Sequence, residues 1–250
     1  MSAEPQPHAE LQLAHVLFID VVGYSKLLSD KQRELFQLLK EIVRDSSQFR
    51  SAEAADKLVR IPTGDGMVLA FFTSVDAPVR CAVEISRKLN EHPELRLRMG
   101  INSGPVDHVS DVNEQRNITG VGINIAQRLM DYADAGHILL SKRVADDLAQ
   151  YSEWKPYLHG LGQVEVKHGV RIDVVNFYDG EVGNAQIPGK LKQAARARWK
   201  RIFLGGALLV AIVSSLIVWS VRSSLFRAAS STISDKSIAI LPFENLSAEK

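Results

Sequence analysis

Ile202–Val221 (IFLGGALLVAIVSSLIVWSV) is a run of twenty residues without a charge, and no other segment restricts this chain as tightly. At a helical rise of about 1.5 Å per residue, such a run spans the roughly 30 Å of a bilayer's hydrocarbon core. Trp199 and Trp219 lie near its two edges, where amphipathic indoles prefer to sit. A buried core helix is the alternative, but such helices rarely lack a polar face. Lys190, Lys192, Arg196, Arg198, Lys200 and Arg201 crowd the upstream side, and no acid lies between Val182 and Arg201. Only Arg222, Arg227 and Lys236 follow over a comparable distance. Positive charge prefers the cytoplasmic side. The expectation is a single-pass protein of the inner (cytoplasmic) membrane with residues 1–201 inside and 222–250 outside.

The run divides the chain. Residues 1–14 are polar, with two prolines and no apolar stretch, which excludes a signal peptide and predicts a disordered N-terminus. Residues 15–180 form the candidate domain, 181–201 a basic juxtamembrane linker and 202–221 the membrane span. At the far end, Lys236–Lys250 (KSIAILPFENLSAEK) reads as one strand and a turn, too little to bury a core. A formal net charge of +1 argues against a nucleic-acid partner, which a basic stripe would betray. The single cysteine, Cys81, excludes an intrachain disulfide and a cysteine-built zinc site, and fits a reducing compartment.

Within 15–180, strand-like and helix-like patterns alternate. His15–Val21 (HVLFIDV) predicts a buried strand, and the spacing of apolar residues over 32–49 predicts one helix. Leu58–Ile61 and Met67–Phe72 flank Thr63-Gly64-Asp65-Gly66, a hairpin signal. Ser74–Asn90 reads as a helix and Leu95–Ile101 as a strand that Val106–Val109 continues. Gly122–Tyr132 and Lys142–Gln150 read as helices, with strands at 137–140, 164–166 and 172–178. Strand–helix–strand–hairpin–strand–helix–strand is the split βαβ order. The expected class is therefore α+β, a ferredoxin-like sheet with helices on one face. In that arrangement Asp20, ending the first strand, and Asp65, in the hairpin, reach the same end of the sheet.

A buried aspartate is costly unless its charge is matched. Two converging carboxylates are what hard divalent cations require. Alone, Asp65 would serve as a turn-former and Asp20 as a helix cap near Ser25. Together, at one sheet end, they read as a metal site.

The segment Phe18-Ile19-Asp20-Val21-Val22-Gly23-Tyr24-Ser25 resembles the opening metal motif of class III adenylyl and guanylyl cyclases. Thr63-Gly64-Asp65-Gly66 resembles their second metal motif, Met99-Gly100-Ile101-Asn102-Ser103-Gly104 the next strand, and Gly122–Leu129 (GINIAQRL) the catalytic helix. Four motifs in order cover about residues 15–178. The terminal stretch is similar to the opening of the TolB-like or repeat-bearing modules that follow some bacterial cyclase domains.

The resemblance implies a nucleotide cyclase fold and a nucleotidyl cyclase that makes a 3′,5′-cyclic nucleotide and pyrophosphate from a nucleoside triphosphate. It implies two Mg²⁺ or Mn²⁺ ions per site, held by Asp20, Asp65 and the Val21 backbone carbonyl. Gly23 and Tyr24, which follow in the same motif, join the substrate-binding set. Asn124 would orient the ribose and Arg128, four residues on, would stabilise the transition state. Lys167 resembles a late lysine that contacts phosphate. The resemblance also implies a homodimer whose sites lie at the interface, with metal ligands from one chain and the Asn124/Arg128 helix from the other.

At two base-reading positions the chain departs from the adenine-reading pattern. A lysine is usual four residues before the second metal aspartate, and here Ile61 stands there. An acid or threonine is usual seven before the helix asparagine, and here that residue is Asn117. ATP is the first expectation for the substrate, with GTP or a pyrimidine triphosphate as alternatives. Arg60 is adjacent, but alternation points it away from the base unless Pro62 makes a bulge. The competing functional reading is a catalytically silent, nucleotide-sensing cyclase-like domain. A diguanylate cyclase would want a Gly-Gly-Asp/Glu-Glu-Phe hairpin, and Walker, paired-histidine and Gly-x-Ser-x-Gly motifs are missing.

Overall fold

An apolar run as continuous as His15–Val21 needs cover on both of its faces, and in the computed structural model it has it. The structure describes residues 11–110, 116–165, 169–194, 196, 210, 211 and 213–219. In chain order the elements are β1 (Gln12–Val21), α1 (Ser29–Asp45), α2 (Ser47–Ala54), β2 (Leu58–Pro62), β3 (Gly66–Phe71), α3 (Ala77–Leu89), β4 (Leu97–Ser110), β5 (Arg116–Thr119), α4 (Val121–Tyr132), β6 (Ile138–Ser141), α5 (Lys142–Leu148), β7 (Leu158–Glu165) and β8 (Arg171–Phe177). β1 begins at Gln12, ahead of the expected His15, because β4 runs on to Ser110 and pairs Gln12 with Val106. β4 runs unbroken through Ser103-Gly104, as the expected continuation into Val106–Val109 requires.

The sheet order is β2-β3-β1-β4-β6-β8-β7, with β5 on β4. Its first four strands are the split βαβ core, and β1 lies antiparallel to both β3 and β4. One expectation is corrected: helices cover both faces. Leu17, Ile19 and Val21 face a core built with α1, α2, α3 and α5, among them Leu39, Phe49, Ile85 and Val144. Val16 and Phe18, on the alternate positions, face α4 through Ala126 and Met130.

The expected helix over 32–49 is also corrected, into two. Ser46 is extended (φ −60, ψ 132), and its hydroxyl caps α2 by accepting from Phe49 N–H at 3.4 Å. The same hydroxyl donates to Glu84 Oε2 at 2.6 Å, and Ser47 adds its hydroxyl at 2.5 Å and its amide at 2.7 Å. Burial pushes the Glu84 carboxyl up, but these donors outweigh it and hold it below the usual range. Cys81, beside them, is a core residue whose thiol burial pushes up to about 12.

Met1–Ala195 and Arg196–Lys250 form separate units. In the second, residues 210, 211 and 213–219 are helical with exposed side chains, Trp219 among them. The rest of 202–221, with Trp199 and 222–250, lies outside the described residues. Among the described residues no helix is long and apolar enough to cross a membrane.

Candidate active site

β1 carries Asp20 one residue from its end, on the face occupied by α4, and Asp20 is only 4% exposed. The register sets Asp20 beside Gly66, so the β2–β3 turn folds against the end of β1. Two hydrogen bonds fasten it: Val21 N–H donates to the Asp65 carbonyl at 3.0 Å, and Thr63 N–H to the Gly66 carbonyl at 3.1 Å. A Cβ at Gly66 would overlap the Ile19 carbonyl oxygen, so only glycine allows this approach. Gly64 takes φ +90 in the turn itself. Asp65, half-buried, is thereby brought close enough to Asp20 for the two carboxyls to interact.

Burial pushes the Asp20 carboxyl above its ordinary value. Arg98 opposes this, its Nε donating to Asp20 Oδ2 at 2.6 Å, while the charge of Asp65 adds to the rise. Two carboxylates with one guanidinium between them leave negative charge uncompensated. That set of hard oxygens fits Mg²⁺ or Mn²⁺. Among the described residues no group of three or more His, Cys, Asp or Glu side chains converges. Arg98 is the residue that reading the sequence missed. Arg98 pairs with Asp20 across β1 and β4, a register that only the folded sheet defines.

After Asp20 the chain turns at Gly23, which takes φ +82. Gln32 Nε2 holds the following short helix by donating to the carbonyls of Tyr24, at 3.0 Å, and Leu27, at 3.1 Å. Gly23 is exposed and Tyr24 half-buried.

Asn124 and Arg128 project from α4. This helix lies close on β4 because glycines clear the way: Gly122 faces Gly104, where a Cβ on Gly122 would stand 2.9 Å from the Gly104 carbonyl oxygen. Asn102 Nδ2 donates to the Gly122 carbonyl at 3.0 Å. Asn124, Gln127 and Arg128 line a cavity of about 600 Å³ together with Tyr132, Glu165 and Lys190. Neither side chain of the Asn124/Arg128 pair has a hydrogen bond or ion pair among the described residues. The lining of this cavity includes neither Asp20 nor Asp65. Lys167 lies outside the described residues.

Ile61 packs into the apolar cluster of Val68 and Ile118. Arg60 points the other way, its Nη1 2.6 Å from Glu53 Oε1, and β2 pairs through Pro62 without a bulge. Asn117, half-buried on β5, uses its Oδ1 to accept from Ile118 N–H at 2.8 Å.

The family model described as "Adenylate and Guanylate cyclase catalytic domain" matches residues 7–178. A curated relative from Rhizobium meliloti (strain 1021), named "Putative adenylate cyclase 3", is 28% identical over 168 residues, covering 62% of this chain. The chain spans only about a quarter of that relative's length (24%). The crystal structure of an adenylate/guanylate cyclase/hydrolase from Silicibacter pomeroyi is 26% identical, with a TM-score of 0.54 over 69% of this chain and 99% of its own. The guanylate cyclase domain of RhGC from Catenaria anguillulae, in complex with GTP, shares the fold at 18% identity, with a TM-score of 0.56 over 70% of this chain and 100% of its own.

Proposed function

Because this chain belongs to the adenylate and guanylate cyclase catalytic domain family, we propose that it is an active class III nucleotidyl cyclase. It converts a nucleoside triphosphate to a 3′,5′-cyclic nucleotide and pyrophosphate. The observation that carries this reading is the meeting of Asp20 and Asp65 at one sheet end, with the Asn124 and Arg128 side chains lining a cavity and unengaged among the described residues. The presence of all four residues favours activity over the silent, nucleotide-sensing reading.

Two Mg²⁺ or Mn²⁺ ions, held by Asp20, Asp65 and the Val21 carbonyl, would supply Lewis-acid activation of the ribose 3′-hydroxyl and charge neutralisation on the polyphosphate. Asn124 holds the ribose so that its 3′-oxygen lies in line with the α-phosphorus. The Arg128 guanidinium, planar and permanently charged, donates to the phosphoryl oxygens as negative charge builds on them. The protein works as a homodimer in which α4 of one chain faces the aspartates of its partner. Supporting that is the lining of the Asn124/Arg128 cavity, which includes neither aspartate of the same chain.

ATP is the first substrate proposed. GTP is the second reading, favoured by Asn117: its Oδ1 already accepts from Ile118 N–H, and among the described residues its amide NH₂ donates to nothing, leaving a donor suited to the guanine O6. Ile61 offers no polar atom to either base.

Membrane attachment through 202–221 is part of the proposal, supported by the exposed apolar side chains of its described helical residues. The chain is expected to stay with carbonate-washed membranes, and a variant lacking 202–221 to leave them. Recovery of the unaltered chain in the soluble fraction would exclude the anchor.

The reaction is tested by incubating the chain with Mn²⁺ and each of the four ribonucleoside triphosphates, following pyrophosphate and cyclic product. One triphosphate is expected to be cyclised, and Asp65→Ala to lower turnover by at least about a hundredfold, since it removes a metal carboxylate. The variant retains the Val21-to-carbonyl bond that docks the hairpin. No product from any triphosphate with folded, dimeric protein would favour the silent nucleotide-sensing reading.

A further inference from the structure

Residues 184–191 follow the last strand and contain none of the motifs above, yet they grip the turn that ends α4 at successive points. Asn184 is itself anchored, its carbonyl accepting from Asn176 Nδ2 at 2.7 Å. Its own Nδ2 donates to the Ala135 carbonyl at 3.0 Å. The Gln186 carbonyl stands 2.7 Å from His137 Nε2, and since a carbonyl only accepts, that nitrogen carries the proton. His137 is 1% exposed, and its other ring nitrogen accepts from Asp134 N–H at 3.1 Å. Gly189 N–H donates to Asp134 Oδ2 at 2.7 Å. Lys190 Nζ donates to the carbonyl of Asp131, in the last turn of α4. Leu191 then packs on Leu129 and Ala133 from the helix's far side.

Ordering eight residues outside the sheet costs conformational entropy, so the contacts they make are the reason they are ordered. Apart from the anchor of Asn184 on Asn176, the contacts named fall on 129–137, where α4 stops and turns into β6. Arg128 lies one residue before this clamped stretch, and Lys190 reaches the cavity that Arg128 lines. We propose that the strap 184–191 is a positioning device for Arg128: it fixes the last turn of α4 and thereby the direction from which the guanidinium enters the site. This rests on the cyclase reading. Lys190 is accordingly a positioning residue, acting through the Asp131 carbonyl. A displacement of this turn by about 1 Å is enough to cost on the order of a hundredfold in rate.

The test uses the full 250-residue chain with Asn184→Ala, away from the cavity, and Lys190→Met, within it. Amide hydrogen exchange is followed at Leu129–Ala133 and in β1 and β3, and kcat and KM are measured in the parent and Arg128→Ala backgrounds. Both variants are expected to speed exchange in the last turn of α4 about tenfold without altering β1 or β3. Both are expected to lower kcat roughly tenfold with KM within about twofold, and to cause no further loss once Arg128 is alanine. Unchanged exchange in α4 overturns the proposal. So does an equal loss in the Arg128→Ala background, which would mark general destabilisation. A kcat effect confined to Lys190→Met also overturns it, by making Lys190 a direct substrate contact. If the parent chain turns over nothing, the cyclase reading fails separately and the exchange measurement alone decides whether the strap clamps α4.

Discussion

Replacing Arg128 by alanine is expected to lower kcat for cyclic-nucleotide formation by on the order of a hundred- to a thousandfold, with Tm within about 2 °C of the parent chain. The size follows from when the guanidinium acts. Charge on the phosphoryl oxygens is greatest as the 3′-oxygen adds and the pyrophosphate departs, so the interaction is stronger then than in the bound ground state. KM should therefore change little while kcat falls. The small effect on stability follows from the structure, since the Arg128 side chain holds no hydrogen bond or ion pair among the described residues. Arg128→Lys should restore little, because an ammonium cannot present two donors in one plane. Steady-state kinetics with thermal melts decide the matter. A variant that keeps more than about a tenth of parental kcat would remove Arg128 from the reaction.

Gly100→Ala is expected to harm the fold severely. A Cβ at that position would overlap the Ala126 carbonyl oxygen and come 2.5 Å from the Met130 amide nitrogen, both on α4. These are backbone atoms of a helix whose Ala126 and Met130 side chains are buried against β1, so neither can yield cheaply. Overpacking of this kind costs about 3 kcal/mol or more, equivalent to a Tm lower by roughly 6–12 °C in a domain of this size. Any α4 that still forms would sit further from β4, carrying Asn124 and Arg128 with it, so activity should fall beyond the loss of folded protein. Gly160→Ala is the control: its Cβ meets nothing within 4 Å and its φ is not in the left-handed region. Thermal melts of both variants settle it, and an unshifted Gly100→Ala would mean that α4 is not seated as closely as these contacts require.

The same two helix residues illustrate what was legible in advance. Asn124 and Arg128 four apart announced a shared helix face from spacing alone, and they do line one cavity. Asp20 and Asp65 could be placed at one sheet end because a split βαβ order leaves the first strand and the hairpin no other neighbourhood. Arg98 was not legible. Nothing in its local sequence distinguishes it from an exposed strand arginine, and its partner lies 78 positions away across a ladder whose register only the folded sheet defines. The two-sided cover was legible but misread: an apolar run without alternation, as in His15–Val21, already asks for burial on both faces. The Ser46 hydroxyl that caps α2 also donates to Glu84, a partner that reaches it only once α3 has packed.

The sequence by itself determined the class of fold, the pairing of the two aspartates and the family, because strand and helix periods, the Thr-Gly-Asp-Gly turn and the motif order are local properties of the chain. Tertiary structure alone decided that Arg98 guards Asp20, that α4 rides close on β4, that Ile61 packs into the cluster of Val68 and Ile118, and that residues 184–191 contact the end of the helix carrying Arg128. Each of these depends on which strangers in sequence become neighbours in space. That is settled by register and packing, which no short window of residues encodes.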